Sequence, residues 1–509
     1  MFATLSKFVV AAVAALATGL ASTPSLAGKK DNSLRFGYDQ VLDHADPYFN
    51  SVRIGVILGH QVWDTLIYRD PTTNDYKGQL ATAWKWVDDK TLELELRKGV
   101  KFHDGSSFSA DDVVYTLTFV SNPDNKVVTQ QYVNWIARVE KLDSHRVRIV
   151  AKQPFPAAIE YLAGPLPIHP HAHYAKVGPK GMNEKPIGSG PYRVSEHALG
   201  KYIRLDRNPD YFRDGPKPQP KIDKLEIRFI PDRQTQTAEV LSGGLDLIMN
   251  VPLDQAIQLR TVPHLQVLFG ETMRVKFLQL DTTERTLAPQ LRDERVRRAV
   301  LHSIDRESML KSIVGEGGRV IHTVCFPGQF GCTDEGAPRF AYDPAKAKQL
   351  MAEAGLAQGF EVDLYAWRER NHVEAIIGYL RAIGIKANLR YMQYAAARDA
   401  VRAGKAPMVF ASWGSASIND VSAITPIFYK FAPDDRNLDP EVRDLLEKGD
   451  ITVDTDARKE AYRAALALIQ QRAYALPLYS LPAYFVATKD LVFKPYADEI
   501  PRFWEMSYK

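Results

Sequence analysis

This chain has few cysteines, and neither positive nor negative charge is in large excess. It has two cysteines in 509 residues, which excludes a disulfide-rich framework and a four-cysteine zinc site. Lysine and arginine (65) nearly balance aspartate and glutamate (61), so the composition shows no electrostatic footprint for nucleic acid. Glycine and proline, at 31 each, are close to average usage, which excludes collagen-like and low-complexity chains. The length is well above one domain of about 150 residues, so we expect a multi-domain globular protein.

Motifs of known catalysts are also absent. There is no His-Glu-x-x-His motif, and Gly188-Ser189-Gly190 is followed by Pro191 rather than by the lysine of a phosphate-binding loop, so we expect a tight turn there. Ser308-Met309-Leu310-Lys311 matches Ser-x-x-Lys, but the Lys-Thr-Gly that accompanies this motif in serine enzymes is missing. We therefore predict a protein that is not an enzyme, with an exported hydrolase using Ser308 and Lys311 as a remote alternative.

Three histidines alternate in the segment His169-Pro170-His171-Ala172-His173. Two of them could share a metal ion if the segment were extended and exposed. No carboxylate or cysteine completes a ligand set nearby, so a proline-kinked loop with solvated imidazoles is favoured. We expect neither a metal nor a cofactor.

The first 27 residues have the pattern of a secretory signal peptide. Lys7 precedes an apolar run over residues 8–20, and Ser25-Leu26-Ala27 supplies the small residues of a cleavage site. The run is shorter than the roughly 20 residues needed to span a bilayer. No cysteine lies near the cleavage site, so we predict a periplasmic protein without a lipid anchor.

The two cysteines, Cys325 and Cys332, flank a Pro-Gly turn signal at 327–328. A turn would bring them within disulfide range, and the exported compartment is oxidising. A short-loop disulfide is therefore favoured over two free thiols.

Helical and strand patterns are mixed along the chain. Residues 91–96 alternate apolar and polar side chains as in a half-buried strand, and Ser109 with Asp112 forms a capping box that opens a helix over 110–119. In the second half, helices are predicted over 294–303 and from Asp343-Pro344 onward. This mixture predicts two or more α/β lobes.

A conspicuous aromatic residue, Trp413, follows the apolar run Met408–Ala411, and we predict a strand here that ends in a small, polar loop. Exposed backbone amides and hydroxyls beside a flat ring are elements of a small-molecule pocket. A buried core tryptophan with an incidental loop is an equally acceptable interpretation of this segment alone.

Several blocks of sequence closely resemble the peptide and nickel group (family 5) of extracellular solute-binding proteins that serve ABC importers. The blocks occur in family order, and the ones that carry the likeness are Leu80–Trp84, Leu96–Gly105, Phe108–Tyr115, Pro186–Tyr192, Arg207–Phe212, Leu241–Asp246, Arg295–Ala299, Ile304–Arg306 and Ala345–Gly355.

This resemblance implies an α/β, two-lobed periplasmic binding protein of type II, with an extra subdomain in lobe I and the ligand cleft between the lobes. Lobe I would comprise 31–279 plus 480–509, with the subdomain at about 58–185, and lobe II would comprise 280–479. A ligand that contacts both lobes shifts the equilibrium toward the closed state, which engages the permease.

The resemblance also implies where the ligand is held. Peptide binders of this family carry, in the loop after Trp413, an aspartate for the ligand's amino terminus; here the matching positions are Ala416-Ser417, and Asp420 is displaced along the loop. Arg368, with Arg370 second, lies where the family places a base for the ligand's carboxylate. The predicted ligand-binding residues are Trp413, Gly414, Ser415, Ser417, Asn419, Asp420, Arg368, Arg370, Tyr38 and Gln40.

The predicted function is capture of a peptide or peptide-like solute for delivery to ABC permease subunits in the inner membrane, by a monomer that binds no nucleic acid. A non-peptide solute, such as an opine, an oligosaccharide or a metal chelate, is the alternative ligand. A chaperone-like binder of unfolded chains is a further alternative.

Overall fold

The computed structural model describes residues 28–509, and the predicted signal peptide, 1–27, lies outside the described residues. The strands in chain order are β1 (Ser33–Tyr38), β2 (Ile67–Arg69), β3 (Tyr76–Gly78), β4 (Ala81–Asp88), β5 (Thr91–Leu96), β6 (Ile136–Asp143), β7 (Arg146–Ala151), β8 (Tyr192–Ala198), β9 (Tyr202–Arg207), β10 (Lys224–Phe229), β11 (Leu247–Met249), β12 (Leu265–Leu280), β13 (Arg319–Val320), β14 (Phe360–Ala366), β15 (Ile385–Tyr391), β16 (Met408–Trp413), β17 (Ala475–Thr488), β18 (Leu491–Val492) and β19 (Ser507–Tyr508).

The helices in chain order are α1 (Arg53–Val62), α2 (Ala110–Ser121), α3 (Ala158–Ala163), α4 (His171–Glu184), α5 (Arg233–Ser242), α6 (Leu253–Leu259), α7 (Glu294–Ser303), α8 (Arg306–Met309), α9 (Pro344–Glu353), α10 (Arg370–Ala382), α11 (Tyr394–Arg402), α12 (Thr425–Tyr429), α13 (Pro440–Ile451) and α14 (Thr455–Gln471).

One long sheet of eleven strands runs through both lobes in the order β15-β14-β16-β12-β17-β11-β1-β10-β9-β8, with β13 added beside β17. Its two longest strands, β12 and β17, pair antiparallel along their length. Leu265 packs with the apolar side chains of α5 and α6, whereas Leu278 and Leu280 pack with those of α7 and α10. The pairing register shifts between Glu271 and Val275, so the ladder is irregular between these two packed regions.

A separate antiparallel sheet, β4-β5-β7-β6, with α2 and α3 packed on it, lies within the segment predicted as the extra subdomain. The alternating strand predicted at 91–96 is β5, and its buried leucines, Leu92, Leu94 and Leu96, lie in this core. Ile418 and Ala423, which come from the far end of the sequence, are buried in the same cluster. This core is therefore completed by residues of the loop that follows β16 and of the turn after it.

Predictions that rest on local signals are confirmed. Ser109 and Asp112 form the capping box at the start of α2, and α7 covers the predicted 294–303. The Asp343 side chain accepts the backbone N–H of Lys346 at the start of α9. These signals succeed because each depends on residues within one helical turn.

The interpretation of the three alternating histidines as a solvated loop is wrong. His169 is 2% exposed and its Nε2 lies 3.2 Å from Asp46, while its ring stacks on Tyr174 at 4.8 Å. His171 begins α4 and its Nδ1 lies 2.9 Å from Asp112. The rings of His169 and His171 thus have protein partners around the start of α4, and no cluster of three metal-binding side chains occurs within residues 28–509. In the same span, no helix combines the length and apolar character needed to cross a bilayer.

Candidate functional site

A cavity of about 460 Å³, here called the cleft, lies between the two lobes. This volume falls in the range of about 300–1,000 Å³ that is typical of small-molecule sites. One wall comes from α1, the segment after α3 and residues 498–504, and the other comes from the ends of β14 and β16 and the start of α11. A ligand held here would contact both lobes.

The loop that follows β16 (413–420, the cleft loop) has an unusual backbone. Ser415, Ala416 and Ser417 have φ values of 48°, 49° and 68°, so three consecutive non-glycine residues are left-handed. This conformation costs about 1–2 kcal/mol for each residue with a Cβ. It persists only where surrounding contacts hold it, and such clusters are found at functional sites.

Side chains of lobe I hold the cleft loop from across the cleft. Arg53 donates to the Ser417 hydroxyl at 2.6 Å, and that hydroxyl donates to the Asp498 carbonyl at 2.6 Å. Arg69 donates to the Ser417 carbonyl at 2.9 Å. The carboxylate of Glu160 accepts the backbone N–H of Asn419 at 2.6 Å. The loop is therefore held in this shape by hydrogen bonds from across the cleft.

An aromatic wall faces the cleft from lobe II. Trp367 and Tyr394 lie with ring centroids 5.4 Å apart, and Trp413 packs edge-on against Phe428 at 6.0 Å. The indole N–H of Trp413 is buried and has no hydrogen-bond partner among residues 28–509. Since a buried indole N–H usually finds a partner, this donor is available to a ligand.

Two arginines of the cleft share a single carboxylate. Glu499, itself at φ 59°, accepts from Arg53 at 3.2 Å and from Arg274 at 3.0 Å. Burial alone would raise the pKa of Glu499, but Arg274 and Arg53 outweigh it and hold the pKa below its usual range. The carboxylate stays ionised, and one positive charge of the pair is left without compensation.

Arg368 extends into the cleft beyond the end of β14 and forms no salt bridge with any residue in 28–509. The next residue, Glu369, is left-handed at φ 45°, and its carboxylate pairs with the buried ammonium of Lys276. Burial lowers the pKa of Lys276 to about 8, and the ammonium keeps the pKa of Glu369 below its usual range despite burial. This anchored pair fixes the backbone that presents Arg368.

The other cations of the cleft each have one partner. The three pairs are Arg502 with Asp498 at 2.6 Å, Lys217 with Asp64 at 2.8 Å, and Arg69 with Glu160 at 3.2 Å. Burial would raise the pKa of Asp498, but Arg502 outweighs it and lowers the pKa to about 2. Burial lowers the pKa of His60, another lining residue, to about 3, so it is neutral at physiological pH.

Summed over these side chains, the cleft is positively charged. Six cations face four carboxylates, and the excess is two charges. Asp498 is the single acidic residue among the described residues that line the cleft, and it already forms an ion pair with Arg502. The arrangement suits a ligand that carries net negative charge.

The model for bacterial extracellular solute-binding proteins, family 5, middle region, matches residues 75–434, more than half of the chain. The chain belongs to this family. It is 28% identical over 426 residues to the glutathione-binding protein GsiB of Salmonella choleraesuis strain SC-B67, covering 81% of this chain and 80% of that protein. The resemblance seen in the sequence motifs is confirmed.

Solved structures confirm the two-lobed fold. A dipeptide-binding protein from Pseudoalteromonas sp. SM9913, in complex with Met-Leu, superposes with a TM-score of 0.80 at 21% identity, over 94% of this chain and 100% of that one. NikA from Brucella suis, in complex with Fe(III)-EDTA, superposes with a TM-score of 0.83 at 22% identity, over 94% and 100%. The family consists of solute-binding proteins of ABC importers, and its members are binding proteins rather than enzymes.

Four of the residues predicted to hold the ligand line the cleft of this family 5 protein, namely Trp413, Gly414, Ser417 and Arg368. Ser415 is buried and turned toward the Met273 sulfur, 3.6 Å from its hydroxyl.

The remaining predicted residues lie outside the cleft lining. Asn419 donates its backbone N–H to Glu160, and Arg370 pairs with Glu374 on the surface of α10 at 2.8 Å. Tyr38 is the last residue of β1 and is buried in a hydrophobic core, and Gln40 lies two residues beyond the strand.

Asp420, the displaced aspartate, does not face the ligand site. Its carboxylate pairs with Arg458 at 2.9 Å, with both side chains buried, and it caps the following turn by accepting the Ser422 N–H at 2.9 Å. An α-amine in the cleft therefore finds no free carboxylate at the position where peptide binders are expected to carry one.

Most of the residues that line the cleft were not predicted from the sequence. The lining residues that were not singled out include Arg53, His60, Arg69, Lys217, Arg274, Trp367, Tyr394 and Arg502. Trp367 could have been predicted, because it lies between the end of a strand and the predicted ligand-binding residue Arg368. The others come from segments far apart in the chain and share no motif.

Proposed function

We propose that this protein captures an anionic peptide or peptide-like solute in the periplasm and delivers it to the permease of an ABC importer. The observation that carries the proposal is the excess of two positive charges in the cleft, at Arg368 and at the arginine pair on Glu499. The other cations of the cleft are already paired with carboxylates. A ligand carboxylate therefore binds most favourably at these two places.

A solute of the glutathione class fits this arrangement. Glutathione carries two carboxylates and one ammonium, so its net charge is negative at neutral pH. Its carboxylates would reach Arg368 and the Arg53–Arg274 pair, and its ammonium would lie against the aromatic wall of Trp367, Tyr394 and Trp413. The relatives named for glutathione binding support this choice.

Delivery depends on lobe closure. We infer that the chain crosses between lobe I (31–279 plus 480–509) and lobe II (280–479) along β12 and β17, whose irregular pairing at Glu271 and Val275 allows bending there. The hydrogen bonds from Arg53, Arg69 and Glu160 to the cleft loop would form on closure. The mature protein is proposed to act as a monomer after removal of 1–27, without a lipid anchor.

The test is a calorimetric titration of the mature protein with glutathione and, for comparison, with the dipeptide Met-Leu, a zwitterion that carries no net charge at neutral pH. We expect tighter binding of glutathione. Hydrogen bonds to charged groups contribute about 1.5–3 kcal/mol. Arg368→Gln is therefore expected to weaken glutathione binding about ten- to one-hundred-fold.

Arg370→Gln is the matched control, because Arg370 lies two residues away and outside the cleft. It should leave affinity unchanged. Tighter binding of Met-Leu than of glutathione, or an equal loss in both variants, would contradict an anionic ligand held by Arg368. Tight binding of an opine but not of glutathione would assign the same charge recognition to a non-peptide solute.

A further inference from the structure

The disulfide joins Cys325 to Cys332 with Cα atoms 5.9 Å apart and closes a small loop (325–332, the disulfide loop). This loop lies against the cleft loop, and both loops also border Asn74 and Tyr76. Phe330 donates its N–H to the Asn419 carbonyl at 3.1 Å, and Val421 donates its N–H to the Phe330 carbonyl at 3.0 Å. The two loops are thus joined by a short parallel β-bridge at Phe330 and Asp420.

Gln329 makes a second connection between the loops through its side-chain amide. Its Nε2 donates to the Ile418 carbonyl at 2.7 Å, and its Oε1 accepts the Phe326 N–H at 3.1 Å. Gln329 is 5% exposed, so these bonds are shielded from water. One side chain therefore ties the backbone of the disulfide loop to the backbone of the cleft loop.

Aromatic contacts fix the far end of the cleft loop. The Phe330 ring lies 4.5 Å from the guanidinium of Arg458, the partner of Asp420. Gly331 is left-handed at φ 77°, and a Cβ on it would lie 2.5 Å from the Tyr462 ring on α14. The disulfide loop is therefore packed closely between the cleft loop and α14.

These contacts differ from the lobe I contacts in one respect. Arg53, Arg69 and Glu160 reach the cleft loop from across the cleft, so they depend on closure. The disulfide loop and the cleft loop belong to the same predicted lobe, so their contacts do not depend on closure. A loop with three consecutive left-handed residues needs such support if it is to be formed before the ligand arrives.

We propose that the disulfide loop is a positioning element that holds the cleft loop in its ligand-binding conformation in the open, ligand-free protein. Gln329 and Phe330 are its positioning residues, and the Cys325–Cys332 bond restricts the backbone that carries them. Pre-formed loops avoid an ordering cost on binding, so loss of this support weakens ligand affinity. The role in affinity rests on the proposed function, whereas the role in ordering the loop does not.

The test compares three variants with the native chain. Cys325→Ala with Cys332→Ala removes the covalent closure, and Gln329→Met removes the amide connections while keeping the disulfide and the side-chain volume. Ile376→Ala, in the buried face of α10 and remote from both loops, is the control for a general loss of lobe II stability.

The first readout is amide hydrogen exchange over 413–421 in ligand-free protein. We expect exchange about ten-fold faster in the double cysteine variant and in Gln329→Met, and unchanged in Ile376→Ala, since local opening is governed by local contacts. Unchanged exchange over 413–421 in both loop variants would overturn the proposal, as would equal acceleration in Ile376→Ala.

The second readout is the dissociation constant for S-methylglutathione, which keeps both carboxylates and has no thiol to exchange with the disulfide. We expect about ten-fold weaker binding in the two loop variants, which is within the usual range of coupling between distinct sites. The affinity of the control should be unchanged. Unchanged affinity together with faster exchange would overturn the role in binding. If the native chain does not bind S-methylglutathione, the proposed ligand class fails, and the exchange measurement still decides the positioning role.

Discussion

Two tight segments of this molecule, the turn at Gly188–Gly190 and the cleft loop, are built in opposite ways. In the turn, a Cβ on Gly188 would lie 2.0 Å from the Val62 carbonyl, and a Cβ on Gly190 would lie 2.5 Å from the Gln61 carbonyl. Glycine is required there by packing against α1. In the cleft loop the backbone itself demands the left-handed region at three positions, yet the sequence has Ser415, Ala416 and Ser417.

The difference shows what each segment is for. The turn needs no side chains, because its task is close approach of two backbones. The cleft loop keeps its side chains at a cost of about 1–2 kcal/mol per residue. At Ser417 the side chain compensates for this cost, because its hydroxyl accepts a hydrogen bond from Arg53 and donates one to the Asp498 carbonyl. At this position the strain is therefore offset by hydrogen bonds across the cleft, which a glycine could not make.

The largest expected effect is that of Gly188→Ala. The added methyl group meets backbone atoms that cannot rotate away, so we expect a loss of about 3–5 kcal/mol in the free energy of unfolding, measured by urea denaturation. Gly378→Ala is the control, because Gly378 lies within α10 with nothing within 4 Å of its Cβ position. That variant should be stabilised by about 0.5–1 kcal/mol. Native stability in Gly188→Ala would remove the packing explanation of the turn.

The second expected effect concerns pH and again distinguishes the turn. His103 accepts the Gly188 N–H at Nδ1 (3.2 Å) and donates from Nε2 to the Gly190 carbonyl (3.0 Å), which fixes a neutral ring. Burial lowers the pKa of His103 to about 4. Between about pH 6.5 and pH 4 the unfolded chain binds a proton that the folded chain does not, so stability falls as the pH is lowered, by about 1.4 kcal/mol per pH unit.

Urea denaturation across this pH range measures the effect. Burial also lowers the pKa of His372 to about 4, so this histidine adds to the slope in the same direction. His103→Gln should be less stable at pH 7 and should show a shallower fall on acidification than the native chain. Parallel pH curves for the two proteins would show that His103 is charged in the folded state and that the turn does not depend on its neutral form.

The same contrast explains what could be predicted from sequence. Ser109 and Asp112, or the strand that ends at Trp413, are set by neighbours in the chain, and they were predicted at their positions. Arg53 and Arg274 could not be found, because the carboxylate they share, Glu499, is 446 and 225 residues away. Asp420 was located in the cleft loop by sequence, but its direction is set by Arg458 on α14. Local order is encoded locally, whereas the charge balance of the cleft exists only after folding.

The third expected effect tests whether the cleft loop serves the ligand. Trp413→Ala removes a lining ring, and we expect ligand binding to weaken by about 1–3 kcal/mol, measured by calorimetry with glutathione. Trp413→Phe keeps the packing against Phe428 but loses the unpartnered N–H, so its loss should be about 0.5–1.5 kcal/mol. Unchanged affinity in folded Trp413→Ala would make Trp413 a core residue. The contrast between the two segments would then not reflect ligand binding by the cleft loop.

The smallest expected effect is that of Ala416→Gly, and its sign is opposite to that of Gly188→Ala. Ala416 is left-handed at φ 49° and, unlike Ser417, has no hydroxyl to contribute, so glycine relieves strain without removing a hydrogen bond. The relief of about 1–2 kcal/mol is partly offset by the greater freedom of glycine in the unfolded chain, which leaves a gain of about 0.5–1 kcal/mol in the free energy of unfolding. Ala396→Gly, on the exposed face of α11, is the control and should be destabilised by a similar amount. A loss of stability in Ala416→Gly equal to that in Ala396→Gly would mean that the Ala416 backbone is not strained in solution, and the left-handed run would then need a ligand to form.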